Sequence, residues 1–243
     1  MSSIGLKKGA IRSSGRLPGN VFSKDQELVV WVKWRVDTRV MHPDEEWLIV
    51  DTETTGRNRP IHAVEIAAQR MLGWKRSGPV FEVLLDHDVP IEPEAERIHG
   101  YSRRHLRQHG RDPEEAHAEF RTYAGERPVV SYNLSFDWDQ VLVPEYQRLG
   151  VRQSGTKGFC ALCLCRRVVT ETDNYRLETL KEHFSLSSKR SHRAVHDVES
   201  VVVLFESLIR KRLGSAGIVG LQAVSDFSRR TPVAKCRDQV RPG

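Results

Sequence analysis

The sequence predicts an α/β domain, on three observations. Strand-like runs at 47–51, 62–72 and 80–86 follow one another with turn residues but no helical signal between them, as in an antiparallel meander. After Pro90 the pattern changes from period two to helix caps and breakers. The resulting order is three strands, a helix, a strand, two helices and one long final helix, which is that of a sheet covered by helices.

Element by element, the first 24 residues hold Ser13, Ser14, Gly15, Pro18 and Gly19 and read as a flexible basic arm, 1–24. Residues 25–46 are an N-terminal extension. Within it the β-branched and aromatic run 27–36 reads as an extra strand, until Met41-His-Pro-Asp-Glu-Glu46 interrupts it. Trp47-Leu-Ile-Val-Asp51 is a short apolar run ending in an acid, as in a central strand that reaches the edge of its sheet. Gly73 to Pro79 forms the turn between the second and third strands. Asp112-Pro113-Glu114-Glu115 supplies an N-cap, a first-turn proline and acids at the positive end of a helix running to about Gly125. Residues 128–132 are a buried strand, 135–149 a helix stopped by Gly150 and kinked or broken at Pro144, and 175–184 another helix. The long helix spans 193–213, with Val198, Val201, Val202, Phe205, Leu208 and Ile209 on its apolar stripe and Gly214 closing it. The main domain is therefore 47–213, and 214–243 is a basic C-terminal extension, partly structured around 218–227.

Composition limits the setting. Of 243 residues, 39% are hydrophobic and 29% charged, so a packed core is feasible under a strongly charged surface. No apolar run approaches the ~18 residues of a spanning helix, and a mixed polar stretch follows Lys7 and Lys8, so neither a membrane nor secretion is expected. Three of the four cysteines crowd at Cys160, Cys163 and Cys165, which suits packed thiols in a reducing, cytoplasmic protein. The net charge of +6 is uneven: residues 1–24 carry +5 and 210–243 carry +6, leaving the interior at −5. Basic ends surround a core that uses carboxylates for some purpose.

Asp51 and Glu53 stand two apart at the end of an apolar strand, and the strand period puts both side chains on one face. They repel each other, and neither has a basic neighbour beside it in sequence, so something cationic should hold them. Asp137 opens a helix just after the strand 128–132, and Asp197 lies in the first turn of the last helix. Each of these alone suits a helix dipole. Four carboxylates converging on one site are another matter, because about −4 of charge calls for two divalent cations, and hard oxygen donors favour Mg²⁺ or Mn²⁺ over Zn²⁺. Two ions about 3.5–4 Å apart serve in-line displacement at phosphorus. A histidine, with its reference pKa of about 6.5, can accept the proton of the attacking water. His196 directly precedes Asp197 and points about 100° away from it, whereas His192 ends the Ser/Lys/Arg-rich loop 185–191 that can fold over a cleft. His192 is the expected base, and Asp139 a solvated surface acid.

Asp51-Thr-Glu53 after one strand, Asn133-Leu-Ser-Phe-Asp137 after another, and His192-Arg-Ala-Val-His-Asp197 opening a helix resemble, in this order, the three motifs of the DEDDh (DnaQ-like) 3′→5′ exonucleases. That family lies within the ribonuclease H-like superfamily. Ile98-His-Gly-Tyr-Ser102 and Glu65-Ile-Ala67 are lesser landmarks, and the resemblance runs from about 47 to 209. Two positions depart from the pattern: Tyr132 precedes Asn133 where proofreading relatives often have His, and Cys160 stands where an Asp-Thr-Leu segment commonly begins. The resemblance implies a ribonuclease H-like mixed sheet flanked by helices, and release of nucleoside monophosphates from the 3′ ends of single-stranded or frayed DNA or RNA. It implies that Asp51, Glu53 and Asp197 ligate metal directly, that Asp137 completes the second site, and that His192 is the base. It also implies that Thr54 and Thr55 meet the terminal nucleotide, that His99 and Asn133 border the strand, and that a replication or repair protein is the partner.

Two alternatives fit parts of the sequence. A non-catalytic nucleic-acid-binding module could use the basic ends, but it has no need of four acids and a histidine that would repel phosphate without metal. A zinc nucleobase deaminase would use His117-Ala-Glu119 with Cys160-Ala-Leu-Cys163, but Phe159 replaces the proline its motif needs, and His117 sits in an ordinary helical pattern.

Overall fold

Trp47, Leu48, Ile49 and Val50 have no exposed surface, because they run through the middle of a six-stranded sheet that is covered on both faces. The computed structural model describes residues 45–186 and 192–230. The arm 1–24, the strand expected over 27–36 and most of the loop 185–191 lie outside the described residues. β1 (Glu46–Thr54) pairs antiparallel with β2 (Ala63–Leu72), and the far edge of β2 pairs antiparallel with both β3 (Lys75–Arg76) and β4 (Phe81–Leu84). The antiparallel meander is therefore present, and the turn expected over Gly73–Pro79 contains the two-residue β3. On its other side β1 pairs parallel with β5 (Pro128–Ser131), and β5 pairs parallel with β6 (Thr156–Cys160). The sheet is mixed, in the order β3-β2-β1-β5-β6.

The strand period sorts the core into two layers. Trp47 and Ile49 face one cluster with Ala67, Met71, Phe159, Leu164, Leu180, Val198, Val201 and Phe205, while Leu48 and Val50 face another with Ile66, Ala116, Phe120, Val141 and Leu142. The second layer is built by α3 (Pro113–Ala124) and by the segment after β5, which is α4 (Leu134–Phe136), a π-helical turn (Asp137–Leu142) and α5 (Val143–Leu149). Asp112 caps α3 as expected, its Oδ1 accepting from the N–H groups of Glu114 (2.9 Å) and Glu115 (3.2 Å). The kink expected at Pro144 takes the form of that π-helical turn, because proline supplies no N–H to the helical ladder, and Gly150 ends the segment at φ 65°.

The first layer contains α6 (Ala161–Val168), α7 (Leu177–Phe184) and α8 (Ala194–Leu204). A π-helical turn (Phe205–Ile209) continues α8 into α9 (Arg210–Ser215). The long final helix thus runs one residue beyond Gly214, and the chain turns away at Gly217 with φ 68°. Within the segment 214–243, α10 (Leu221–Arg230) places Val224 and Phe227 in the first core cluster.

Besides β3, four elements were not expected from the sequence. β6 mixes Lys157 and Gly158 into a short strand, and α6 follows it through the cysteine-rich run. α1 (Pro93–His99) and α2 (Arg103–His109) have seven residues each, too short for a clear apolar stripe. Their signals lie in their caps: left-handed Gly100 ends α1 (φ 84°), and Ser102 Oγ accepts from His105 N–H (3.1 Å) to start α2. Among the described residues no helix is long and apolar enough to cross a membrane.

Candidate active site

The face that buries Trp47 and Ile49 continues up β1 to Asp51 and Glu53, where the sheet ends and both side chains become half-buried. α8 packs on this face and carries Asp197 in its first turn. Carboxylate oxygens of Asp51, Glu53 and Asp197 consequently lie within 4.8 Å of one another. Asp137 reaches the sheet from the opposite layer. Its Oδ1 accepts from Thr52 N–H (3.1 Å) and Thr52 Oγ1 (2.8 Å), and Ser131 Oγ donates to its Oδ2. Thr52 alternates with Asp51 along the strand, so Asp137 is brought to the edge of the group rather than into the trio.

The cluster is electrostatically strained. Burial raises the Asp51 carboxyl well above its usual range, and Asp137, Asp197, Glu53 and Glu65 add to the shift. Glu53 is pushed up to about 8, by burial first and then by Glu65, its cross-strand partner on β2. Asp137 is raised to about 6 by burial, against the hydrogen bonds of Ser131 and Thr52 that hold it down. Burial also raises Asp197, opposed by His192 N–H (2.9 Å from Oδ2) and by Lys181, whose Nζ lies 3.7 Å from Oδ1. Glu65, raised by burial to about 7, accepts from Ala194 N–H (3.0 Å) at the start of α8 and lies 3.6 Å from Arg193 Nε.

Two adjoining cavities open here. The larger, about 740 Å³, is bordered by Asp51, Asp137, Asp197, Asn133, Glu178 and His192, with Arg57, Arg166 and Arg176 around it. The smaller, about 210 Å³, is bordered by Glu53, Thr54, Gly56, His99, Phe136 and His192. His192 therefore faces both, with its ring about half exposed and Nε2 3.9 Å from Glu178 Oε1. A left-handed backbone at φ 68° turns its N–H onto Asp197. His196 borders neither cavity.

The residues expected to touch substrate are placed unequally. Thr54 Oγ1 donates to Gly56 O (3.0 Å), and Thr55 Oγ1 accepts from His62 N–H (3.2 Å), so both hydroxyls hold the turn after β1, and Thr55 borders neither cavity. Tyr101 N–H donates to His99 Nδ1 (3.0 Å), which leaves Nε2 to donate to Thr54 O (3.2 Å). His99 thus shapes the small cavity through the strand end it holds. Asn133 is exposed at the rim, and Asp139 is exposed in an ion pair with Lys157 (2.6 Å). Lys181 and Glu65 were missed as site residues. Lys181 carries no motif signal, whereas the position of Glu65 opposite Glu53 follows from the strand register. His117 faces Glu145, and among the described residues the cysteines join no group able to hold a metal, so the constellation a deaminase requires is not assembled.

Oxygen donors suit a hard divalent cation, and Asp197 Oδ1 is buried with no hydrogen-bond partner, its ion pair with Lys181 being a loose 3.7 Å. The residues present therefore fit such an ion.

Comparison with known proteins agrees with this geometry. The RNase_T family model, described as Exonuclease, matches residues 48–205. DNA polymerase III PolC-type of Listeria innocua is 26% identical over 179 residues, 72% of this chain and 12% of that protein. The Bacillus subtilis polymerase of the same type is 26% identical over 200 residues, covering 82% and 14%. The chain thus spans about an eighth of the length of these relatives. Among solved structures, E. coli exonuclease I in complex with a dT13 oligonucleotide has a TM-score of 0.59 at 18% identity, over 67% of this chain and 40% of that one. Exonuclease X in complex with 5′ overhanging duplex DNA has a TM-score of 0.58 at 22% identity, over 75% and 99%.

Proposed function

The chain belongs to the exonuclease family, and from that premise we propose that it is a metal-dependent 3′→5′ exonuclease releasing nucleoside monophosphates from single-stranded or frayed DNA ends. The observation that carries this reading is the convergence of Asp51, Glu53 and Asp197 within 4.8 Å where the two cavities adjoin. Asp51, Glu53 and Asp197 would hold divalent ions, with Asp137 contributing from the edge. Bound there, two Mg²⁺ or Mn²⁺ ions would supply charge neutralisation and Lewis acidity at the scissile phosphodiester.

The chain's own groups supply the rest. His192, at the junction of the two cavities, accepts the proton of the attacking water. Its backbone N–H fixes Asp197, so base and ligand are positioned together. Lys181 offsets part of the acidic charge from behind Asp197. The small cavity beside Thr54 and His99 receives the terminal nucleotide, and Arg57, Arg166 and Arg176 draw in the phosphates behind it. DNA is favoured as substrate because the relatives are DNA polymerases III of the PolC type, and a replication or repair protein is the partner this suggests.

The test is a 5′-labelled oligonucleotide with Mg²⁺. Stepwise shortening from the 3′ end, with monophosphates as product, is expected. Shortening from the 5′ end, or internal cuts alone, would overturn the proposal.

A further inference from the structure

A second polar cluster lies in the opposite layer. It is formed by His62 just before β2, His87 in the loop after β4, His117 on α3 and Glu145 on α5. Glu145 has no exposed surface, and its Oε1 lies 2.8 Å from His87 Nε2 and 3.7 Å from His62 Nδ1. The facing atoms of His62, His87 and Glu145 all lie within 4.8 Å of one another. His87 Nε2 and His62 Nδ1 are nonetheless buried without a hydrogen-bond partner, on side chains only 5% and 15% exposed. His87 Nε2 is close enough to Oε1 to bond but is not aligned with it, and an unpaired buried nitrogen is costly.

The two rings are tilted at 53° with centroids 4.7 Å apart and both turn a nitrogen toward the same Oε1, which Ala63 N–H (3.2 Å) and Arg148 (3.8 Å) already approach. One cation between the three facing atoms uses both lone pairs with the rings neutral. Bonds of about 2.1 Å to a tetrahedral ion place its ligands about 3.4 Å apart, between the 2.8 and 3.7 Å found here. We propose that His62, His87 and Glu145 bind one divalent transition-metal ion, zinc by its nitrogen-and-carboxylate donor set, with water in the fourth position. The surroundings are those of a supported ligand set. His117 Nε2 holds Glu145 Oε2 at 3.0 Å, and Ala63 N–H donates to Oε1 at 3.2 Å.

The ion would hold a loop in place. His62 is tied back to Thr55 by two hydrogen bonds, Thr55 N–H to His62 O (2.9 Å) and His62 N–H to Thr55 Oγ1 (3.2 Å). An ion on His62 thus fastens the loop that carries Gly56 and Arg57 along the wall of the acidic cleft. This inference does not depend on the nuclease reading, and its test does not use turnover.

The experiment uses full-length protein carrying Asp51→Asn and Glu53→Gln, which removes two of the three convergent acids. Zn²⁺ titration followed by calorimetry, and Co²⁺ absorption in the visible range, are measured in that background. One equivalent should bind, with the visible bands of four-coordinate cobalt. Loss of an outer partner typically costs ~10–100-fold in affinity, so His117→Gln should fall in that range, and His62→Asn or His87→Gln should lose at least ~100-fold. His62 is the most exposed of the three, so its variant keeps the test open if His87→Gln does not fold, as circular dichroism would show. Cys163→Ser should bind normally. No stoichiometric binding, undiminished binding in the folded histidine variants, or loss of the ion with Cys163 would each overturn the proposal.

Discussion

Glu53→Gln should stabilise the protein when metal is withheld. In the folded chain the Glu53 carboxyl is raised from 4.5 to about 8 by burial and by Glu65, Asp197 and Asp137. The native state therefore keeps a proton that the unfolded chain releases. Stability from this group is complete below about pH 4.5 and is lost as pH rises through about 8. At ~1.4 kcal/mol per decade of proton affinity, the loss between pH 5 and pH 8 comes to roughly 3–4 kcal/mol. Glutamine has nearly the same shape and does not titrate. In EDTA, urea unfolding at pH 8 should show the variant more stable than wild type by about that amount, and at pH 5 the two should lie within ~1 kcal/mol. Mg²⁺ should close the gap at pH 8 by stabilising wild type selectively. A variant no more stable than wild type at pH 8 in EDTA would refute the reasoning, because Glu53 would then not be carrying unrelieved repulsion.

Further outcomes follow from the same geometry. His192→Ala should lower kcat by roughly 10²–10⁴-fold while His196→Ala stays near wild type; single-turnover rates for the two variants check the ranking. Phe227→Ala should cost about 3–5 kcal/mol in urea unfolding, because Phe227 is 6% exposed within the first core cluster; a surface-sized loss would detach α10 from the core. Removing 1–24 and 231–243 takes away seven net positive charges while leaving α10 whole. It should raise KM for a ~30-nucleotide strand and flatten its salt dependence, with a smaller effect on kcat; KM at two salt concentrations decides this.

The acidic trio was legible because its geometry is local. A strand period aligns Asp51 with Glu53, and the long apolar stripe of α8 shows that Asp197 opens a helix packed on a sheet. Asp137 was legible as an acid of the site but not in its manner of joining it. That depends on Thr52 facing the second layer, which appears only once both layers are in place. α1 and α2 were not legible because two turns carry almost no periodic signal, and β6 because Lys157 and Gly158 disguise a strand held by its parallel neighbour β5. The histidine cluster could not be read at all. His62, His87, His117 and Glu145 come from four separate segments, with no spacing that marks them as partners.

The most direct test of the central claim is the Mg²⁺-dependent rate of 3′-end degradation for wild type and Asp51→Asn, measured on matched DNA and RNA oligonucleotides. Asp51 lies at the end of β1 within 4.8 Å of both other convergent acids, so its loss should lower the rate by several orders of magnitude while the protein stays folded. DNA should be the better substrate, and EDTA should abolish the wild-type rate. An Asp51→Asn protein that retains most of its Mg²⁺-dependent activity would contradict the account, because the cleft formed by these acids would then not be where the phosphodiester is cut.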